Sequence, residues 1–187
     1  SKLKIKNVNI NPTRIGILKI LKKMGVNIKL SNYKIYKGEK IADLTIISNN
    51  SLKAINCPSS MNSAAIDEFL LIFLVAAKAK GVSYFKNLSE LNQKESPRLY
   101  WGAQILTKMG VKNVLKKDSI KIYGNPKLKI EKKITIKKFL KDHRVFMTSV
   151  IAALTFGGKW TIYDKDSVKT SFPTFIAKIK SLGGRLS

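Results

Sequence analysis

Three amphipathic stretches of this chain close on nearly the same six residues: LKKMGV at 21–26, LTKMGV at 106–111 and IKSLGG at 179–184. A second, more apolar helix pattern occurs twice, ending before Gly81 and before Gly157, and a strand pattern follows each time, VSYF and KWTIY. The repeating unit is therefore apolar helix, strand, amphipathic helix and two strands, at a spacing of roughly 75 to 85 residues. Units of this kind cannot bury their apolar faces alone and must stack on one another. The chain divides into a partial repeat over 1–56, a complete one over 57–125 and a partial one over 126–187. The first lacks its apolar helix and the third lacks its last strands. The expected class is α/β, as an incomplete domain cut inside a repeat.

Local signals fill in the units. Residues 2–10 alternate apolar and polar with the period of a strand. Asn11-Pro12-Thr13 gives a turn, and Ile15, Leu18, Leu21 and Met24 recur at helical spacing before Gly25. Strands are expected over 27–36, 41–48 and 52–56, then a polar loop over 58–63 and a buried helix over 65–79. A strand follows over 82–88. Ser96 as N-cap and Pro97 at the first helical position open the next helix, which ends at Met109-Gly110. Strands over 111–115, 119–123 and 133–136 lead to a helix that starts at Asp142 and stops at Gly157-Gly158. A strand over 160–163 and a helix over 171–182 complete the pattern.

Charge is the feature most easily over-read. The 187 residues carry 36 Lys plus Arg against 11 Asp plus Glu, a formal charge of +25. Only four of those cations are Arg (Arg14, Arg98, Arg144, Arg185), and the lysines are spread through every segment. Lys, Asn and Ile are the residues of A/T-rich codons, so base composition accounts for the excess better than a nucleic-acid face does. A basic nucleic-acid-binding module remains an alternative, without the aromatic stacking platform that would favour it. The longest apolar run, 69–77, has nine residues, short of the roughly 20 a membrane helix needs. The chain opens on a strand pattern and not on a signal peptide. With the single Cys57 excluding an intrachain disulfide, a cytoplasmic protein is expected.

Charged clusters stand at three helix starts: Asp67-Glu68, Lys94-Glu95 with Arg98, and Asp142-His143-Arg144. A helix N-terminus suits anions, Arg adds bidentate recognition of carboxylate or phosphate, and carboxylates with Lys supply general acid and base. Taken singly, Asp67-Glu68 could merely complement a helix dipole, His143 could be a capping or surface residue, and Lys94-Glu95 could be a solvated face. Their recurrence at equivalent points of a repeat is what argues for a shared site. One Cys and one His do not make an ordinary zinc site, and no phosphate-binding Gly-rich loop follows any strand.

The segments IDEFLLIFLVAAKAKG, ELNQKESPRL, DHRVFMTSVIAAL and TSFPTF, with NPTR near the start, resemble the C-terminal half of the 5-enolpyruvylshikimate-3-phosphate (EPSP) synthase family. The resemblance covers essentially the whole chain, and the K-E-S-x-R box followed by D-H-R at 142–144 is its most specific part. It implies two globular domains, each an inside-out α/β barrel of three βαβαββ units (the enolpyruvyl transferase fold), with the active site between them. The implied reaction is 3-phosphoshikimate 1-carboxyvinyl transfer: the enolpyruvyl group of phosphoenolpyruvate passes to the 5-hydroxyl of shikimate 3-phosphate, through a tetrahedral intermediate and without metal or organic cofactor. By position, Asp67 would contact the shikimate ring hydroxyl and accept its proton, and Lys94 would contact the same substrate and share the proton work as a second catalytic residue. Glu95 would be the acid/base at the methylene carbon. Arg98 and Arg144 would hold phosphoenolpyruvate, and His143 would support that corner. Lys169 does not align cleanly with a family lysine and is left unassigned. Pro97 and Asn92 stand where the family usually has Asp and Arg. The resemblance further implies a separate N-terminal domain carrying the other ligands, a monomer when full length, and inactivity of this fragment alone. An enolpyruvyl transferase with another acceptor is the nearest alternative.

Overall fold

In the computed structural model, residues 2–48 and 51–186 are described; the outermost repeat limits expected at 1 and 187 lie outside them. Strands β1 (Lys2–Asn9), β2 (Asn27–Tyr36) and β3 (Glu39–Ile47) form an antiparallel sheet in the order β1-β3-β2, with helix α1 (Gly16–Lys23) between β1 and β2. The next unit repeats that plan. Strands β4 (Gly81–Phe85), β5 (Asn113–Leu115) and β6 (Ile120–Gly124) are ordered β4-β6-β5, with helix α4 (Arg98–Met109) after β4. In both sheets the last strand of the unit lies in the middle. Strands β7 (Lys133–Ile136) and β8 (Lys159–Ile162) pair in parallel, joined through helix α5 (His143–Phe156), and α6 (Phe175–Ser181) follows.

A parallel strand pair needs a crossover, and an α-helix is the usual one. The same crossover precedes β4 in reduced form. The strand expected over 52–56 is present only as two isolated parallel bridges, Lys53 with Lys80 and Asn56 with Tyr84, supported by Tyr84 N–H donating to Ile55 O at 2.8 Å. The apolar helix α3 (Phe69–Lys78) is the counterpart of α5, and nearly all of its faces are buried: Phe69, Leu70, Ile72, Phe73, Leu74, Ala76 and Ala77. Phe69, Phe73 and Phe85 form an aromatic trio with centroids 5.3–6.0 Å apart. Fully burying each such side chain contributes about 1.5–3 kcal/mol. Helices α3, α4 and α5 pack against one another, so the starts of α4 and α5 are fixed by the same core.

Several sequence expectations shift in detail. The loop expected over 58–63 is helical: a 3-10 turn, Ser59–Met61, runs into a short helix α2 (Asn62–Ala65). The helix expected over 65–79 is interrupted, because Ala65 (φ −124°, ψ 8°) leaves helical geometry and a second 3-10 turn, Ile66–Glu68, precedes α3. Asp67 and Glu68 therefore project from a tight turn before α3. The last helix is shorter than expected, with Pro173 two residues before its first residue. Counting only the nine apolar residues also understated the helical stretch. Ser59–Lys78 spans 20 residues and is apolar enough to cross a membrane, yet half of it is buried inside the fold, as a core helix would be.

The α3–α4 contact depends on Gly102, where a Cβ would meet the Phe73 ring at 2.7 Å and Leu70 at 3.1 Å. Phe73 is 1% exposed and cannot swing away. Gly102→Ala is expected to destabilise the protein by about 1–3 kcal/mol, the usual cost of overpacking. Urea denaturation of the variant checks this; an unchanged midpoint would show that the two helices yield freely.

Candidate active site

Arg98 is the first residue of α4 and only 2% exposed, so its charge must be met inside the fold. Its Nε donates to Asp142 Oδ2 at 2.9 Å, Nη1 to Asp67 Oδ1 at 3.2 Å, and Nη2 to Glu95 Oε2. Nη2 also lies 3.5 Å from Asp142 Oδ1. One guanidinium thus joins three carboxylates from three segments of the chain.

Asp142 is equally committed. It is the N-cap of α5, with extended backbone, and its Oδ1 accepts from the N–H of Arg144 at 2.8 Å and of Val145 at 3.4 Å. Its Oδ2 accepts from the Ser96 hydroxyl at 2.9 Å as well as from Arg98. Ser96 is therefore not the N-cap of α4 that its sequence position suggested. Pro97 takes that place without a side-chain bond, and the Ser96 hydroxyl instead donates to the buried carboxylate of Asp142. Burial alone would raise the Asp142 carboxyl, but the hydrogen bond and charge of Arg98, with the Ser96 hydroxyl and the Arg144 N–H, hold it below the usual carboxylate range.

Arg144 completes the cluster from the first turn of α5. Its Nη1 donates to the Asp67 carbonyl at 2.8 Å, its Nη2 lies 3.4 Å from Asp67 Oδ2, and Nη1 lies 3.6 Å from Glu68 Oε1. Glu68 is half-buried, and burial pushes its carboxyl up against the opposing pull of Arg144. Asp67 and Glu68 open onto a cleft of about 340 Å³ lined also by Thr13, Arg14, Ser63 and Arg144.

Of the residues singled out from sequence, Asp67, Glu95, Arg98 and Arg144 converge. Lys94 does not join them: its Nζ pairs with Glu90 at 3.0 Å, one turn back along the chain. His143 sits half-buried at the start of α5 beside Arg144. The Lys169 ammonium pairs with Asp166 at 2.8 Å in an exposed turn. Sequence reasoning gave Asp142, Ser96 and Glu68 no individual role in the site, reading Ser96 as a helix cap and Asp142 as a helix start. The available signal was an Asp at the N-cap of one helix and an Arg at the first position of another, which together predict a charge pair if the two helix ends meet.

Apolar helices packed centrally, antiparallel sheets in a repeated order and an acid–arginine cluster at the helix starts define an enolpyruvyl transferase fold. A solved structure of the enolpyruvyl transferase NikO from Streptomyces tendae shares that fold, with a TM-score of 0.74 at 15% identity over 99% of this chain and 39% of that one. The family model for EPSP synthase (3-phosphoshikimate 1-carboxyvinyltransferase) matches residues 1–179, and the chain belongs to that family. It is 42% identical over 180 residues to the 3-phosphoshikimate 1-carboxyvinyltransferase of Ruthia magnifica subsp. Calyptogena magnifica, covering 94% of this chain and 40% of that protein. It is 39% identical to the one from Zymomonas mobilis, over 98% of this chain and 41% of the relative. The solved EPSP synthase from Acinetobacter baumannii superposes with a TM-score of 0.90 at 36% identity, over 96% of this chain and 41% of that one. The chain thus spans about two fifths of the length of the curated relatives it matches.

The depressed Asp142 carboxyl carries a stability consequence with a definite sign. A carboxyl whose folded value lies below its unfolded value stabilises the fold above the unfolded value, and that contribution is lost as pH falls through the folded one. Stability should decline below about pH 4, and Asp142→Asn should lose about 1.5–3 kcal/mol at neutral pH while flattening that decline. Urea denaturation of the complete protein at several pH values checks both; an Asn variant with the parental acid profile would assign the decline to other groups.

Proposed function

We propose that the complete protein transfers the enolpyruvyl group of phosphoenolpyruvate to the 5-hydroxyl of shikimate 3-phosphate with release of phosphate, and that this chain forms one wall of the site. The observation that supports this most is the convergence of Asp67, Glu95, Arg98 and Arg144 from three segments in a chain of the EPSP synthase family. The other wall comes from a further domain of the same protein, which works as a cytoplasmic monomer and uses no metal or organic cofactor.

Asp67, 37% exposed at the cleft, takes the proton of the acceptor hydroxyl as its oxygen bonds to C2 of phosphoenolpyruvate. Glu95, 54% exposed, delivers a proton to the methylene carbon and gives the tetrahedral adduct. Elimination reverses that transfer: Glu95 recovers a proton from the carbon as the C2–O bond to phosphate breaks, and Asp67 returns the hydroxyl proton to the departing phosphate. Both arginines hold the donor carboxylate with their planar forks. Arg98 reaches that state by exchange. The arriving carboxylate replaces Asp67 and Glu95 on its outer nitrogens while Asp142 keeps Nε, and both carboxylates are released for proton work. Lys94 leaves its exposed pair with Glu90, worth at most about 1 kcal/mol, to contact the acceptor, and His143 supports the Arg144 corner.

Residues 1–187 alone should not turn over, because catalysis needs both reactants held in near-attack geometry. In the complete enzyme, Arg144→Lys should raise the KM for phosphoenolpyruvate roughly tenfold to a hundredfold. Asp67→Asn should lower kcat by about 10²–10⁴ with much less change in either KM. Phosphate release with each substrate varied in turn measures all three. Turnover by the fragment at the full-length rate, or an Asp67→Asn variant altered only in KM, would overturn the assignments.

A further inference from the structure

The cluster is short of positive charge. Arg98 and Arg144 face Asp67, Glu68, Glu95 and Asp142, so with all groups ionised it carries two net negative charges. An anionic substrate entering the cleft needs a cation not already neutralised. Arg14 lines that cleft with Thr13 and Ser63, and its exposed side chain makes no hydrogen bond or ion pair among the described residues. Its charge is near enough to pull on the Glu68 carboxyl.

The repeat explains why it is free. Aligning LKKMGV at 21–26 with LTKMGV at 106–111 places Pro12 on Pro97, and Arg14 then stands one residue beyond the position of Arg98. The start of α4 meets an acid, Asp142, at the start of the next apolar helix. The start of α1 meets α2 so closely that a Cβ at Gly16 would lie 2.5 Å from the Ala64 carbonyl carbon. That stretch, Ser63-Ala64-Ala65, offers no carboxylate. The same Pro-then-Arg pattern thus yields a buried, carboxylate-paired arginine at the start of α4 and an exposed, unengaged one in the turn before α1.

We propose that Arg14 is a substrate-binding residue, whose guanidinium takes an anionic oxygen group, carboxylate or phosphate, of one of the two substrates beside Asp67 and Arg144. This rests on the proposed function above. Arg14 is exposed and unpaired, so its replacement should leave folding intact, checked by circular dichroism and thermal denaturation. In the full-length enzyme, Arg14→Ala should raise the KM for one substrate roughly tenfold to a hundredfold with kcat within about threefold of the parent. Arg14→Lys should recover part of the loss. A rise confined to phosphoenolpyruvate assigns the group to the donor, and one confined to shikimate 3-phosphate assigns it to the acceptor phosphate. Normal turnover with both KM values unchanged in Arg14→Ala would overturn this inference and leave the proposed function standing. Absence of turnover in the unmodified full-length enzyme would overturn both.

Discussion

The buried pair of Arg98 and Asp142 is the interaction on which the site depends. A guanidinium and a carboxylate this deeply buried each cost several kcal/mol to desolvate, and their attraction repays that only with good geometry and further hydrogen bonds. Here those bonds come from the Ser96 hydroxyl and from two N–H groups at the start of α5. The pair therefore fixes where the first turn of α4 lies relative to the first turn of α5. Asp67, Glu95 and Arg144 are arranged around that fixed point. Replacing the pair with apolar residues could preserve stability, but it would remove the reference that places the exposed carboxylates.

That geometry separates two duties within one side chain. The Nε edge of Arg98 faces Asp142, in the interior, whereas its outer nitrogens face Asp67 and Glu95, which are partly open to solvent. In the proposed function a substrate carboxylate takes the place of those two partners on the outer nitrogens, so the guanidinium stays paired while the interior pair with Asp142 holds. A network of four carboxylates and two arginines is also electrostatically unbalanced without an anion-binding partner on the other side of the cleft. Cations from elsewhere, Arg14 within this chain and others from the rest of the protein, would correct that balance.

Much of the architecture was legible in the sequence because it is periodic. The LKKMGV and LTKMGV endings located two helices, and alternation located β1 to β3, since both signals average over many residues. Features set by single residues were harder to read. Ser96 followed by Pro97 has the local chemistry of a helix cap, and nothing local reveals that the hydroxyl donates to Asp142, 46 residues away. The break at Ala65–Glu68 was equally hidden. IDEFLL reads as continuous helix, yet a 3-10 turn projects Asp67 and Glu68 just beyond the place where α1 packs closely on α2. Lys94 was grouped with Glu95 by adjacency, but neighbours along an extended segment point to opposite sides.

The approach to Asp142 shows how the fold pays for this placement. Lys138, Leu140 and Lys141 all have left-handed backbone, at φ 63°, 55° and 56°, in a stretch with no glycine. Each such residue costs of order 1 kcal/mol or more and persists only where its surroundings over-determine it. Phe139, in their midst, is fully buried and packs edge-on against Trp101 of α4 at 6.0 Å. Burying that ring offsets part of the backbone strain, and the contact ties the loop to the helix that carries Arg98. The strained turn can then deliver Asp142 with extended backbone at the N-cap of α5, where one carboxylate caps a helix and anchors the arginine together. A relaxed loop would satisfy the chain locally but would not hold those two functions on a single side chain.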